Sequence, residues 1–591
     1  MCGIFAVVND DSVMAAQTTL DGLKKLEYRG YDSWGIAIKP VKGNELKIEK
    51  HIGKIGEATT SLPKASIAIG HTRWATHGGV TDANAHPHLD CTGKLAVIHN
   101  GIVENYQTIK EELTKKGHRF VSETDTEIIA HLIEENKKTM PFRQAVFASF
   151  DTLIGSNAVA VLDLETESII SCRNGSPMVV GIDEKKGRYY LGSDVPAFLK
   201  YTNTVYFLED MEAVTITKGG VKIFDLQTKG EKAFTPQVLD WKLEDAEKEG
   251  YPHFMLKEIH EQHKTIAKTA LINEKSIKKI ASIINQGYKV VLTGCGTASY
   301  CALMGKYFLG ESDVESQVYG SYEAMPFTKF IDNKTVVIAI SQSGETADTL
   351  IAVKEAKKRN AKIVAIVNAR GSTMERISDV VLPVGAGPEI AVVSTKAFTS
   401  QLSSLYLISR AVVGQYDQAA NDVRKMSEVV KGWLNDELIE KIINLAKTLL
   451  TTEHAYVIGK NLNYPGAQEF ALKLKETSYI HAESFTAGEL KHGVITLIQK
   501  GTPCFVLASN DSVKNEVLSS AAELKARGGH LIGISPFKTH EFDESIKTPE
   551  LGDLTVFPNV IVGQLLGYYL GIGRGADPDK PRNLAKSVTV K

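Results

Sequence analysis

The first residue in this chain able to do chemistry is the cysteine directly after the initiator methionine. Cys2 is small enough to permit removal of Met1, and a chain beginning at Cys2 carries a thiol and an α-amine on one residue. With an amine pKa of about 7.7 to 8.0, nucleophile and general base come together without a separate histidine. Position alone fits equally well a small buried residue opening an edge strand. Its company argues for chemistry: Tyr28-Arg29-Gly30-Tyr31-Asp32-Ser33, His71-Thr72-Arg73-Trp74-Ala75-Thr76-His77-Gly78, His99-Asn100-Gly101 and Glu123-Thr124-Asp125-Thr126-Glu127. Each has a task if the substrate is glutamine. A free amino acid presents a carboxylate, which Arg73 can bind in bidentate fashion, and an ammonium, which Asp125 can pair. A tetrahedral oxyanion requires fixed donors, which Asn100 and the backbone N–H of Gly101 can supply.

A second set of residues lies in the C-terminal half. Ser341-Gln342-Ser343-Gly344-Glu345-Thr346 follows an apolar strand and precedes a helical stretch, placing hydroxyls and unpaired N–H groups where an anion is favoured. An ordinary helix cap needs fewer hydroxyls than this. With neither a Walker lysine nor a G-x-G-x-x-G turn, a phosphorylated sugar fits better than a nucleotide. On a helix, Glu469, Lys473 and Glu476 share one face, a spacing also common on solvated salt-bridged surfaces. An aldose–ketose interconversion needs a carboxylate to carry a proton, a cation to steady the enolate-like oxygen and an acid/base to open the ring; Glu476, Lys473 and His492 offer one each.

The N-terminal motifs resemble those of class II glutamine amidotransferases, an N-terminal-nucleophile fold. The resemblance implies Cys2 as nucleophile, Arg73 and Asp125 on the charged ends of glutamine, Asn100 and Gly101 as the oxyanion hole, Thr76 and His77 lining the pocket, and Trp74 gating an internal ammonia channel. The C-terminal half resembles a pair of SIS (sugar isomerase) domains. Together with the ending Pro581-Arg582-Asn583-Leu584-Ala585-Lys586-Ser587-Val588-Thr589-Val590, the whole chain is similar to isomerising amidotransferases that use glutamine and fructose 6-phosphate. That likeness implies a Schiff base at Lys586, phosphate contacts from Ser341, Gln342, Ser343 and Thr346, further sugar contacts from Thr297, Val393 and Ala585, supporting roles for Glu469 and Arg582, and His492 reaching across from a neighbouring subunit. It further implies at least a homodimer and no cofactor. The chain departs from the family pattern at Ala298, where Cys295-Gly296-Thr297 is usually followed by serine, and at Val494, where proline is common.

Short β-type runs position the first set: Ile4–Val8, Gly35–Ile38, Ile67–Gly70, Leu95–His99, Ala158–Leu162 and Tyr189–Leu191, with helical stretches at 19–26 and 124–135. This predicts an α+β domain over residues 2–225, with stacked antiparallel sheets if the resemblance holds. The polar stretch 226–250 reads as a linker. Beyond a helical stretch over 254–285, continuous apolar strands at 289–293, 335–340, 362–368 and 380–384 alternate with amphipathic segments, which predicts α/β domains with parallel sheets covered by helices. The rhythm returns about 165 residues later at 455–458, 504–508, 531–535 and 554–557, an internal duplication. The expected divisions are 251–430, 431–575 and a catalytic tail at 576–591.

Composition excludes other classes. With 43% apolar and 23% charged residues and a net charge of -2, the 591-residue chain reads as an ordinary soluble protein whose partners are small molecules rather than nucleic acid. No apolar run is expected to reach the roughly 18 residues of a membrane span, so a cytoplasmic location is expected. Six scattered cysteines without C-x-x-C pairs argue against a disulfide framework and against a zinc site. The competing functions are an amidotransferase acting on another ketose phosphate and a SIS-type regulator that binds a sugar phosphate without chemistry. The intact Cys2 site argues against an enzyme that removes the amino group, and Glu476, His492 and Lys586 together argue against a pure regulator.

Overall fold

The computed structural model describes residues 2–9, 13–239 and 247–588. Met1, whose removal is expected, residues 240–246 of the expected linker, and Thr589 to Lys591 of the tail motif lie outside the described residues. The chain divides into two compact units: one runs to residue 246 and includes the tail from Ala585, the other spans Glu247–Leu584.

Strand alternation builds the N-terminal unit. Its eight-stranded antiparallel sheet has the order Gln237–Val238, Thr204–Phe207, Val179–Asp183, Arg188–Gly192, Gly3–Val8, Ala65–Arg73, Ser33–Pro40, Lys47–Ile52. A seven-stranded sheet has the order Glu231–Lys232, Gly220–Asp225, Glu212–Thr217, Ser168–Asn174, Asn157–Asp163, Leu95–Gly101, His88–Leu89. Successive side chains on a strand point to opposite faces. Ile4, Ala6, Val8, Ile67 and Ile69 of the first sheet therefore meet Ala96, Ile98, Ala158 and Ala160 of the second in one core. Leu95, Val97, Val159 and Val161 face the other way, under helices Tyr106–Lys115, Glu127–Lys137 and Phe142–Thr152. Helix Ala15–Leu26 covers the outer face of the first sheet, where a Cβ on Gly22 would lie 2.6 Å from the Phe5 ring. The same parity carries Cys2, His71, Arg73 and Asn100 toward the space between the sheets. Part of the expected linker is sheet: residues 231–232 and 237–238 are edge strands, and short solvated edges carry the polar composition of a linker.

The second unit contains two five-stranded parallel sheets of identical topology. Their orders are Ser316–Gly320, Lys289–Gly294, Thr335–Ser341, Lys362–Val367, Val380–Pro383, and His481–Thr486, His454–Gly459, Pro503–Leu507, His530–Ser535, Glu544–Lys547. Both faces are covered: Val336, Ile338 and Ile340 enter a core shared by the two halves, while Val337 and Ala339 pack under helix Ala347–Lys358. The fifth strand of the second sheet is 544–547, not 554–557, which spans the end of the 3₁₀ turn Gly552–Thr555 and the start of helix Val556–Gly573. With its preceding turn, that helix is 22 residues long and apolar enough to cross a membrane, contrary to the expectation that no run reaches that length; 83% of its apolar window is buried. A helix apolar all round belongs in a core. Here it packs on helix Asn463–Ser478, with Gly563, Gly567 and Gly571 on the contact line; a Cβ at Gly563 would lie 2.6 Å from Phe470 and one at Gly571 2.6 Å from the Thr477 carbonyl.

Candidate active site

In the N-terminal unit the Cys2 sulfur accepts the backbone N–H of Trp74 at 3.2 Å, and the Cys2 carbonyl accepts the Asn100 side-chain amide at 2.9 Å and the Arg29 guanidinium at 3.3 Å. Gly3 N–H is held by the Thr72 hydroxyl at 3.1 Å. The amide of Asn100 has a fixed sense: the buried His71 Nε2–H donates to Asn100 Oδ1 at 3.1 Å and to the His99 carbonyl at 2.9 Å. Burial lowers the His71 pKa to about 3, so the ring is a neutral donor and the NH₂ of Asn100 is left facing Cys2. Burial raises the Cys2 thiol pKa, while the Trp74 N–H and the Arg73 charge pull it down and the Asp125 charge pushes it up.

Arg73 is buried, and its guanidinium is fixed by the carbonyls of His77, Gly78 and Gly79. Asp125, also buried, accepts the Val103 N–H at 2.8 Å. Asp32 accepts the Ala75 N–H at 2.8 Å, and Tyr31 meets the Trp74 ring edge-on at 5.6 Å, so the 28–33 motif braces the segment carrying Trp74. Gly30 is required there because a Cβ would lie 2.8 Å from the Trp74 nitrogen. Gly101 has φ +140°, and a Cβ on it would lie 2.1 Å from the Ser156 carbonyl. Thr76 is exposed and His77 half-buried against Tyr106. Sequence reasoning gave no role to His71 or Arg29; both stand in the quoted motifs, but their hydrogen bonds span strands and are not visible in spacing.

In the second unit, Lys473 is fully buried and its ammonium lies 3.2 Å from Glu469, 2.7 Å from Glu476, 3.1 Å from the Thr297 hydroxyl and 3.3 Å from the Ser394 carbonyl. The spacing 469/473/476 is thus an interior cluster, not a solvated face. The two carboxylates outweigh desolvation and hold the lysine protonated. Burial raises Glu469 to about 7 despite the neighbouring ammonium. Thr297 opens the helix after the strand Lys289–Gly294. The Ser341 loop follows the adjacent strand, so both lie at carboxyl ends of neighbouring parallel strands, where α/β sheets bind ligands.

Within that loop the Ser341 hydroxyl accepts the Gly344 N–H at 2.9 Å and lies 3.3 Å from the Thr346 hydroxyl; Ser343 accepts the Glu345 N–H at 3.2 Å. Thr346 makes no side-chain cap bond to helix Ala347–Lys358. Asn368 and Ala369 donate to the Gln342 carbonyl, which fixes the loop backbone. The side chain of Val393 is buried in the core. Ser299, the hydroxyl next to Ala298, donates to the Gly296 carbonyl at 2.7 Å. Arg582 stacks on Tyr479, 4.1 Å from the ring centre. His492 is exposed at the end of a 3₁₀ turn and makes no hydrogen bond or ion pair among the described residues. Ala585 and Lys586 belong to the tail that clusters with the N-terminal unit. A cleft of about 960 Å³ lined by Tyr288, Lys289, Ser316, Asp332 and Thr335 opens at the amino ends of the strands and shares no lining residue with the Ser341 loop or the Lys473 cluster.

Two domain families match: a glutamine amidotransferase domain over residues 71–200 and a SIS domain twice, over 282–410 and 448–544. A glutamine amidotransferase joined to a SIS pair is the class that this fold and these sites define. The chain is 43% identical to the glutamine–fructose-6-phosphate aminotransferase (isomerizing) of Thermococcus kodakarensis and 41% identical to that of Aquifex aeolicus, over the full length of both partners in each case. The C-terminal domain of glucosamine-fructose-6-phosphate aminotransferase from Francisella tularensis, 32% identical, superposes with a TM-score of 0.51 over 56% of this chain and 99% of that one. This chain belongs to the glutamine–fructose-6-phosphate aminotransferase (isomerizing) family.

Proposed function

We propose that the chain transfers the amide nitrogen of glutamine to D-fructose 6-phosphate and isomerises the product, giving D-glucosamine 6-phosphate and glutamate, the entry step of hexosamine synthesis. The observation that carries this reading, beside full-length membership of the family, is the buried Lys473 cluster. A protein that only binds a sugar phosphate has no need of an ammonium out of water between one fully buried carboxylate, Glu469, and one largely buried carboxylate, Glu476.

In the glutaminase half-reaction the Cys2 thiol gives its proton to the α-amine of the processed chain, and the sulfur attacks the side-chain amide carbon of glutamine. The oxyanion takes hydrogen bonds from Asn100 and the Gly101 N–H, while Arg73 and Asp125 hold the carboxylate and ammonium of the substrate. Ammonia leaves, and water hydrolyses the thioester to glutamate. Trp74, joined through its N–H to the Cys2 sulfur, controls the departure of ammonia. In the synthase half-reaction the Lys586 amine forms an imine with the ketone, releasing water, and ammonia then displaces the lysine. Glu476 carries the proton between C1 and C2, Lys473 steadies the oxygen that gains charge, and His492 from a neighbouring subunit opens the ring. The phosphate sits on Ser341, Gln342, Ser343 and Thr346 at the helix N-terminus. This assignment calls for at least a homodimer, and we place the enzyme in the cytoplasm.

The test is to offer glutamine with a panel of ketose and aldose phosphates and identify aminated products by mass spectrometry. Amination of fructose 6-phosphate is expected. Amination of another ketose alone replaces the acceptor, and binding without any aminated product supports a regulator.

A further inference from the structure

Outside both sites, four side chains of the N-terminal unit converge on one point. Cys91 lies in the turn between strands His88–Leu89 and Leu95–Gly101, His118 follows helix Tyr106–Lys115, and His131 and Glu134 stand one turn apart on helix Glu127–Lys137. One ligand atom from each lies within 4.8 Å of all the others. The Cys91 sulfur is 3.7 Å from His118 Nδ1 and 3.5 Å from His131 Nδ1, and Glu134 Oε2 is 3.2 Å and 3.3 Å from the same two nitrogens. With metal–ligand lengths near 2.3 Å for sulfur and 2.0 to 2.2 Å for nitrogen and oxygen, a tetrahedron puts sulfur and nitrogen about 3.6 Å apart and nitrogen and oxygen about 3.4 Å apart. These four sulfur–nitrogen and nitrogen–oxygen edges are those of a tetrahedral zinc-type site.

The outer contacts agree. His118 Nε2 faces Glu135 at 3.1 Å and His131 Nε2 faces Glu127 at 3.6 Å, so each ring has a carboxylate on the side away from the cluster. At His118 this carboxylate–histidine–metal relay fixes the tautomer that leaves Nδ1 as the metal ligand, whereas Glu127 lies beyond hydrogen-bond reach of His131 Nε2. Hydrogen bonding alone accounts poorly for the centre. Glu134 Oε2 already accepts the Cys91 N–H at 3.0 Å, and each imidazole nitrogen is then shared between that oxygen and the same sulfur. A cation satisfies all four lone pairs at once, and with one thiolate and one carboxylate the site with a dication is neutral.

We infer that Cys91, His118, His131 and Glu134 form a structural site for a divalent transition-metal ion, with zinc favoured by the thiolate–imidazole–carboxylate set. Four protein ligands leave no open position for substrate, so the role is to tie together the 90–94 turn, the segment after His118 and the helix that begins two residues beyond Asp125. Cys91 is exposed and gives the ion its entry from solvent. The absence of C-x-x-C spacing does not oppose the site, because three separate segments supply its ligands.

The test uses the full chain. Elemental analysis after dialysis should give about one zinc per chain in the wild type and in Cys2→Ala, falling at least tenfold in Cys91→Ser and His118→Gln. Wild-type protein stripped by chelator and reloaded with Co²⁺ should show intense tetrahedral ligand-field bands and a thiolate charge-transfer band, so the site is read even if a ligand variant fails to fold. Wild-type protein that neither retains zinc nor gives those bands overturns the inference. So does metal lost on replacing Cys2, or a thiolate band that persists in a folded Cys91→Ser protein.

Discussion

Replacing Asn100 by aspartate separates a catalytic amide from a structural one. The side chain is 1% exposed, its Oδ1 is held by the neutral His71 N–H and its Nδ2 lies 2.9 Å from the Cys2 carbonyl, so the group cannot invert. Asn100→Ala removes one preorganised donor, which costs roughly 10² to 10³ in kcat, about 3 to 4 kcal/mol of transition-state stabilisation. Asn100→Asp keeps the size and the contact with His71 but turns an acceptor oxygen, and a negative charge, toward the developing oxyanion. It is therefore expected to lose at least as much as alanine. The assay is glutamate release at saturating glutamine, with kcat and KM resolved; the loss should fall on kcat, as for a bond made in the transition state. If Asn100→Asp keeps more than about a tenth of wild-type kcat, well above the alanine variant, the amide is not an oxyanion donor and its role is to hold strand Leu95–Gly101 in place.

Three further outcomes are expected. Gly101→Ala combines φ +140° with a Cβ 2.1 Å from the Ser156 carbonyl, so a loss of at least about 1 to 3 kcal/mol should lower the urea midpoint, and an unchanged midpoint contradicts the geometry. Burial lifts the Glu469 carboxyl from 4.5 to about 7, so between those values the native chain holds a proton that the unfolded chain has released, and stability falls as pH rises through the window. Glu469→Gln should flatten that fall by up to about 3 kcal/mol, read from urea unfolding at both ends of the window, and an equally steep fall in the variant rules the assignment out. Ser341→Ala and Thr346→Ala each remove a hydroxyl from the phosphate loop and should raise KM for fructose 6-phosphate by about tenfold while glutamine hydrolysis is unchanged; equal damage to both half-reactions would assign them a folding role.

The buried parallel strands could be read from the chain because strands covered on both faces are continuous apolar runs, as at 335–341 and 503–507. The edge strands Ser316–Gly320 and His481–Thr486 could not, since one side is solvated and their composition is that of loops. Residues 554–557 were misread because a short apolar run does not distinguish a strand from the start of a buried helix. Helices Tyr106–Lys115 and Phe142–Thr152 pack on a sheet face defined only in three dimensions. Among the site residues, types and order pointed to Cys2, Arg73, Asn100 and Lys473. The bracing of Asn100 by His71 and the convergence of Cys91, His118, His131 and Glu134 depend on contacts between distant segments, which spacing does not encode.

A chain that joins two half-reactions must pass nitrogen from glutamine to the sugar without release, and isotope transfer reads that passage. Processed protein incubated with amide-¹⁵N glutamine and fructose 6-phosphate should yield ¹⁵N-glucosamine 6-phosphate, even with excess unlabelled ammonium in the medium, and Cys2→Ala should yield none. Glutamine hydrolysis without a labelled sugar, or a sugar that takes its nitrogen from the medium, would contradict the coupling.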